Sequence, residues 1–246
     1  MEKVTVEGII INETNYGETS KILNILTKEY GYISVMAKGS RTMKSKIRGI
    51  SMKLVYANFT INYKPAGIST LIEGNLLNSF KHIMTDFSKM NYALYLAGLI
   101  KNVLKENNDK DLFFLLKTAL LKINEDFNPS LITNIVEVKL LKHLGVKPNF
   151  EECVSCFSKE IFTFDLNLGG VVCQECYQET YLFHPNTLKL LKLFLCVDLE
   201  KIDKLKISNQ LVIKEINQFI KEYYETYTGI YLKNKDKFAN FLNLEK

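Results

Sequence analysis

The spacing of apolar residues changes once along the chain, and this change limits the possible folds more than any other feature. In the first part, apolar side chains recur at every second position, as in Ile33, Val35 and Ala37. This period is typical of a half-buried β-strand. From about Thr85 the apolar residues recur at the spacing of an amphipathic helix. The sequence therefore predicts an α+β protein in which strands precede helices.

The first part of the chain contains five short apolar segments separated by turn signals. Tyr30-Gly31 precedes the third segment, and the polar residues 39–49 separate the third from the fourth. Such a set of strands suits a small closed barrel such as an OB-fold. An SH3-like barrel uses a similar number of strands, and periodicity does not separate the two. Gly8, inside the first segment, predicts a bulge or tight bend there.

Helical spacing then extends over most of the remaining chain. Three apolar stripes lie between residues 96 and 144, and Gly145 with Pro148 ends the last of them. The spacing resumes at Pro185 and again at residues 209–227. We therefore expect an OB-fold barrel over residues 1–80 and a helical domain over residues 81–246. A cysteine-bearing module is expected inside the helical domain at about residues 149–181.

Four cysteines form the strongest chemical motif, two C-x2-C pairs separated by sixteen residues. This spacing matches the template of a four-thiolate zinc site. Each pair closes a tight turn, so that two sulfurs from each pair can meet one tetrahedral ion. Gly169-Gly170 supplies the backbone freedom for such a turn. We predict that a Zn²⁺ ion is held by Cys153, Cys156, Cys173 and Cys176.

Other uses of these thiols fit the sequence less well. The first residues lack a basic lead and a continuous apolar run, and no stretch approaches the length of a membrane span. We therefore expect a cytoplasmic protein without membrane contact, in which disulfides are disfavoured. A redox role would need a βαβ unit, which the pattern does not predict.

Four thiolates leave no open metal position, so the predicted zinc is structural. The fifth cysteine, Cys196, is expected to be buried.

The net charge of +5 is concentrated in one segment. No acidic residue lies between Glu29 and Glu73, whereas seven of the 32 basic residues do. The other 25 face 27 acidic residues, so the rest of the chain carries a net charge of −2. Both arginines, Arg41 and Arg48, lie in this segment, and arginine pairs bidentately with phosphate. This concentration of basic residues predicts a loop that binds a polyanion. The alternative is a solvent-exposed loop with no binding role.

Motifs of catalysis are not found in the sequence. His82, His143 and His184 are scattered outside any zinc-hydrolase spacing, and neither a Walker-type nor a G-x-S-x-G motif occurs. The sequence therefore predicts a protein that is not an enzyme and has no catalytic residues.

Taken together, these segments resemble the RecO family of bacterial DNA repair proteins over nearly the whole chain. Residues 16–23 (YGETSKIL) resemble the opening strand turn of the family, and residues 37–41 (AKGSR) and 46–49 (KIRG) resemble its basic loop. Residues 139–145 (KLLKHLG) lead into Pro148, Phe150 and Cys153, and Phe164-Asp165 leads through Gly169-Gly170 to Cys173.

The resemblance implies a recombination mediator with an N-terminal OB-fold and a helical domain that holds the zinc module. It implies binding to single- and double-stranded DNA, annealing of complementary strands, and cooperation with RecR and single-stranded-DNA-binding protein to load RecA. A location at the nucleoid would follow. Some members of the family lack the cysteines, whereas this chain has all four. The implied DNA-binding residues are Lys38, Arg41, Lys44, Lys46 and Arg48.

Two other functions are compatible with the residues. An RNA-binding protein with an OB-fold and a zinc ribbon would use the same basic loop, and a protein-interaction scaffold would use the helical part. Tyr16, Tyr30 and Tyr32 can stack on bases or pack in the barrel.

Overall fold

The computed structural model describes residues 2–106 and 109–232. Two compact units are present, the first ending at Pro129 and the second beginning at Ser130. The domain boundary expected at residue 80 remains a prediction, and the last strand of the barrel ends close to it at Asn78. The final part of the expected helical domain, residues 233–246, lies outside the described residues.

The five predicted strands form a closed barrel. They are β1 (Glu2–Tyr16), β2 (Ser20–Thr27), β3 (Gly31–Ala37), β4 (Tyr56–Tyr63) and β5 (Ser69–Asn78). Their order around the barrel is β1-β2-β3-β5-β4, with β3 and β5 parallel and the other pairs antiparallel. A meander would pair only consecutive strands, whereas this order is that of a Greek-key barrel. The fold is therefore α+β with an OB-like N-terminal barrel, as expected.

The long strand β1 closes the barrel because it pairs with two neighbours. Its first part pairs with β4 and its second part with β2, and Gly8 takes part in both pairings. A side chain at Gly8 would place its Cβ atom 2.6 Å from Cγ2 of Ile25. The bulge predicted at Gly8 is instead located between Ile10 and Asn12, where the register with β2 shifts. Gly8 is thus required for close strand approach.

The interior of the barrel follows the predicted alternation. Ile33, Val35 and Ala37 of β3 are buried, whereas Ser34 and Met36 between them are partly exposed. Because successive side chains of a strand point to opposite faces, one apolar set from each strand meets inside the barrel. The buried residues of this core are Val6, Ile10, Leu23, Ile25, Ile33, Val35, Ala37, Val55, Ala57, Phe59, Ile61 and Leu71.

Three helices complete the first unit: α1 (Lys81–Thr85), α2 (Phe87–Glu106) and α3 (Asp111–Asn124). Both α2 and α3 contact β1. Lys117 of α3 donates to the Glu7 carboxylate over 2.9 Å, and the Tyr56 hydroxyl donates to the same carboxylate. Desolvation raises the pKa of Glu7, but the two hydrogen bonds and the positive charge of Lys117 together outweigh it, so the pKa is lowered. A charged pair therefore joins the helices to the outside of the barrel.

The second unit contains α4 (Pro129–His143) from its second residue onward. It also contains β6 (Thr163–Asp165), β7 (Gly170–Val172), α5 (Pro185–Cys196), a 3₁₀ turn (Leu199–Lys201) and α6 (Gln210–Thr228). The predicted helices are confirmed at all three positions. The short strands β6 and β7 were not predicted, because three residues are too few to show a period of two. None of the helices in the described ranges has the length and apolar character that crossing a membrane requires.

Candidate metal centre and nucleic-acid interface

The structure brings the four predicted ligand cysteines together. Their Sγ atoms all lie within 4.8 Å of one another, and those of Cys156 and Cys173 are 3.6 Å apart. A tetrahedral zinc site with bonds of about 2.3 Å holds its sulfurs about 3.8 Å apart. Cys153 and Cys173 are buried, whereas Cys156 is exposed. The cluster has the donor set and spacing of a metal centre, and four cysteines fill its coordination sphere.

Backbone hydrogen bonds shape the two cysteine turns. In the first turn, the N–H of Phe157 donates to the Cys153 carbonyl over 2.9 Å, and Phe157 adopts a positive φ of 62°. The N–H of Val154 donates to Val171 of β7, which leads directly into Cys173. The β6–β7 hairpin therefore carries the second pair to the first.

The electrostatics of the cluster favour a bound cation. Hydrogen bonding from the backbone of Cys173, aided by that of Cys156 and Ser155, lowers the pKa of the Cys153 thiol to about 6 despite burial. The thiolate that results is the form that binds metal ions. The side chains of Cys156 and Cys173 raise the pKa of Cys176 to about 12. Because thiolates repel one another, all four can ionise together only around a positive ion.

Gly170 allows the first cysteine turn to approach the hairpin. A Cβ atom at Gly170 would lie 2.2 Å from Cγ1 of Val154 and 3.1 Å from Cβ of Asn149. Gly169 has a positive φ of 69°, a conformation that glycine adopts without strain. The two glycines thus have different roles: Gly169 permits the turn of the backbone, and Gly170 permits the close contact with Val154.

We expect Gly170→Ala to destabilise the cysteine module by about 1–3 kcal/mol, because the added methyl group overpacks the contact with Val154. Thermal unfolding followed by circular dichroism measures the loss. Gly98→Ala is the control, since its Cβ would meet nothing within 4 Å and alanine favours the surrounding helix by up to about 1 kcal/mol. Equal stability of the Gly170 variant and the wild type would contradict the expectation.

A buried carboxylate ties the segment that follows the module to α6. Glu215 of α6 accepts hydrogen bonds from the Tyr181 hydroxyl over 3.0 Å and from the His184 backbone over 3.0 Å. The Thr187 hydroxyl also donates to this carboxylate. Three donors satisfy a charge that would be costly to bury alone. Glu215 was not predicted from the sequence, although a glutamate within an apolar helical stripe is a usable signal.

The fifth cysteine does not lie where it was expected. Cys196 is the last residue of α5, and it is exposed. Burial was predicted from its apolar neighbours, but Leu193 is also exposed, whereas Leu191 and Phe194 are buried. The helix therefore turns Cys196 away from the buried stripe.

The basic loop, residues 38–55, follows β3 and lies on the surface of the barrel. All five of the predicted DNA-binding side chains are exposed: Lys38, Arg41, Lys44, Lys46 and Arg48. Lys53 differs from them because it is partly buried, and desolvation together with the nearby charge of Lys101 lowers its pKa. The structure thus presents five cations to solvent on one continuous segment.

Local hydrogen bonds give this basic loop a defined path. Thr42, Ser45, Arg48 and Ser51 each donate a backbone N–H to the carbonyl three residues earlier, which folds the segment into successive tight turns. Ile47 and Ile50 pack against the core of the barrel. This anchoring was not predicted, although two isoleucines three residues apart within a basic segment are a signal that the sequence contains.

Arg41 also fastens the loop to the turn between β1 and β2. Its backbone N–H donates to the Thr19 carbonyl over 2.8 Å, and its guanidinium donates to the Gly17 carbonyl over 3.2 Å. Both acceptors are neutral, so the charge of Arg41 is not cancelled by an acid in these contacts. The guanidinium has further donors with which to contact a phosphate.

The three tyrosines considered for base stacking lie in different environments. Tyr30 stacks on Tyr63 with ring centroids 4.2 Å apart and packs against the core. Tyr32 is partly buried, and burial raises its pKa. Tyr16 is 56% exposed at the end of β1, one residue from the carbonyl that Arg41 contacts. Of the three, Tyr16 is the most accessible to a base.

Two family models match this chain, one over its N-terminal part and one over most of the remainder. Residues 1–80 match the family model of the recombination protein O N terminal domain, and residues 84–236 match that of the C terminal domain. The chain is 37% identical to the DNA repair protein RecO of Bacillus pumilus (strain SAFR-032), with 95% of this chain and 92% of that protein covered.

Two further relatives carry the same name. The DNA repair protein RecO of Bacillus subtilis (strain 168) is 34% identical, with 93% of this chain and 91% of that protein covered. That of Listeria monocytogenes serotype 4b (strain CLIP80459) is 31% identical, with 98% of both chains covered. The match extends over the barrel, the basic loop and the cysteine module. The chain therefore belongs to the recombination protein O (RecO) family of DNA repair proteins.

Proposed function

We propose that this protein is a recombination mediator that binds single- and double-stranded DNA and anneals complementary strands. In this proposal it acts with RecR and single-stranded-DNA-binding protein to help load RecA. Membership of the RecO family supports DNA repair as the setting. The observation that carries the DNA-binding role is the anchored basic loop, which exposes Lys38, Arg41, Lys44, Lys46 and Arg48 on one continuous segment of an OB-like barrel.

The proposed mechanism is electrostatic and makes or breaks no bond. Cations of the loop neutralise phosphates and release counterions, which gives affinity without sequence preference. Two DNA strands repel each other less when both lie against such a surface, so pairing becomes faster. Because Ile47 and Ile50 hold the loop on the barrel, little loop entropy is lost on binding. In this proposal the exposed ring of Tyr16, next to the Gly17 carbonyl that Arg41 contacts, would stack on a base.

We propose a structural zinc ion as the occupant of the cysteine cluster. Cys153, Cys156, Cys173 and Cys176 would supply all four ligands, so the ion would have no open position for water. Zinc bound in this way holds two chain turns together. The ion pairs of Glu151 with Lys192 and of Glu152 with Lys159 suit the same structural role, since both acids already have partners.

Annealing of labelled complementary oligonucleotides tests the proposed function directly. We expect the purified full chain to raise the annealing rate at low salt by at least about tenfold, because phosphate neutralisation removes the main barrier between strands. Fluorescence energy transfer between the labels measures the rate, with non-complementary strands as the control. A rate unchanged by the protein would contradict the proposal. Stronger binding to RNA than to DNA of matched sequence would instead favour an RNA-binding function.

A further inference from the structure

The cysteine module differs in charge from the basic loop. Residues 149–181 contain six acidic residues and one lysine, Lys159. Glu160, Glu175 and Glu179 of this segment are exposed. Four thiolates around a divalent cation would add further negative charge. A negatively charged surface repels the phosphates of DNA. A partner of the module is therefore expected to be a molecule other than DNA.

A cavity of about 420 Å³ lies between this module and α6 in the second unit. Phe164, Tyr181 and Phe183 form aromatic walls, and Glu222 and Glu225 of α6 contribute carboxylates. Among the described residues that line it, no lysine or arginine occurs. The volume is within the range of small ligand sites and is sufficient for a large side chain with part of its backbone.

A buried hydroxyl at the wall of this cavity has no partner. The Oγ1 atom of Thr180, one of the lining residues, is inaccessible to solvent and makes no hydrogen bond within the described part of the chain. Buried polar groups are rarely left in this state, because an unmade hydrogen bond is costly. A bound molecule with hydrogen-bonding groups, admitted by a small movement of the threonine, would satisfy it.

The aromatic rings and carboxylates that line the cavity favour the binding of a planar cation. Aromatic faces attract guanidinium groups, and carboxylates bind them through paired hydrogen bonds. The ring of Tyr181 is held in place because its hydroxyl donates to Glu215 over 3.0 Å. Arginine and aromatic residues are also enriched in protein interfaces. A nucleic acid would bring phosphates next to Glu222 and Glu225, which is unfavourable.

We propose that this acidic aromatic cavity docks an arginine in a basic segment of a partner protein. The module and α6 then form a protein-docking surface, separate in function from the basic loop of the barrel. This inference does not depend on the loop binding DNA. It assigns the acidic part of the chain to protein contact and the basic part to nucleic acid.

The test uses a fluorescein-labelled peptide of alternating glycine and arginine, with the full chain titrated against it and binding followed by fluorescence anisotropy. We expect saturable binding, weakened at least about tenfold in the double variant Glu222→Gln and Glu225→Gln. Glu200→Gln is the matched control, since it removes an exposed acid of the same unit outside the cavity. DNA affinity should be the same in all three proteins, and circular dichroism should show that each is folded.

Thr180→Val gives a second, independent measurement. If the hydroxyl contacts the bound peptide, the valine variant keeps its fold and binds the peptide more weakly. The proposal would be overturned by no saturable binding by the wild type, by equal weakening in the Glu200 and cavity variants, or by full peptide affinity in the Thr180 variant. Binding of a glycine-glutamate peptide as tightly as the arginine peptide would also overturn it.

Discussion

Replacing Cys173 by serine is expected to unfold residues 149–181, whereas replacing Cys196 by serine leaves the fold intact. Cys173 is buried, and its Sγ atom lies 3.6 Å from that of Cys156 within the cluster. Structural zinc sites contribute about 10–16 kcal/mol of apparent binding free energy in small peptides, so losing one ligand removes much of what holds the two turns together. Cys196 is exposed at the end of α5 and has little packing to lose.

Two measurements check this expectation. Elemental analysis of protein prepared without chelator should find one zinc ion per chain in the wild type and in the Cys196 variant, and a strongly reduced content in the Cys173 variant. Thermal unfolding should show a lowered transition for the Cys173 variant alone, and a chelator should have the same effect on the wild type. Wild-type protein without zinc, or equal stability of the two variants, would end the metal proposal.

Changing Arg41 and Arg48 together to alanine is expected to weaken DNA binding and to reduce its dependence on salt. Each phosphate contact contributes about 0.7 for single strands, or about 0.9 for duplex, to the slope of log affinity against log salt. Loss of both arginines should therefore flatten the slope by roughly one to two units. The loss should be similar for unrelated DNA sequences, because phosphate contacts do not read bases. Annealing should slow in parallel.

The structure refines the expected stability of this double variant. The Arg41 guanidinium donates to the Gly17 carbonyl, so its removal costs about 1 kcal/mol at most, while the Ile47 and Ile50 anchors remain. Lys189→Ala with Lys214→Ala is a matched control, because it removes two exposed cations of the second unit. If the control lowers the salt slope and the arginine variant does not, DNA binds through the helices and not through the loop.

The candidate sites were predictable from sequence to the extent that they are local. The spacing of the cysteines located the whole four-cysteine cluster, since two residues between cysteines fix a turn and four thiols have few other uses. The absence of acids between Glu29 and Glu73 located the exposed cations. Neither pattern could show that Glu215 satisfies the His184 backbone or that Glu222 and Glu225 share a cavity with Thr180. Those relations join residues that are distant in the chain.

The same division holds for the fold. The change from strands to helices and the buried face of β3 could be derived from the amino-acid sequence alone, because periodicity is a property of neighbouring residues. Tertiary structure was needed to establish the strand order, the location of the bulge near Ile11, and the contact of Lys117 with Glu7. It also decided that Cys196 is exposed, since burial at a helix end depends on what packs there. Pairing and packing depend on the path of the whole chain, and local patterns do not encode that path.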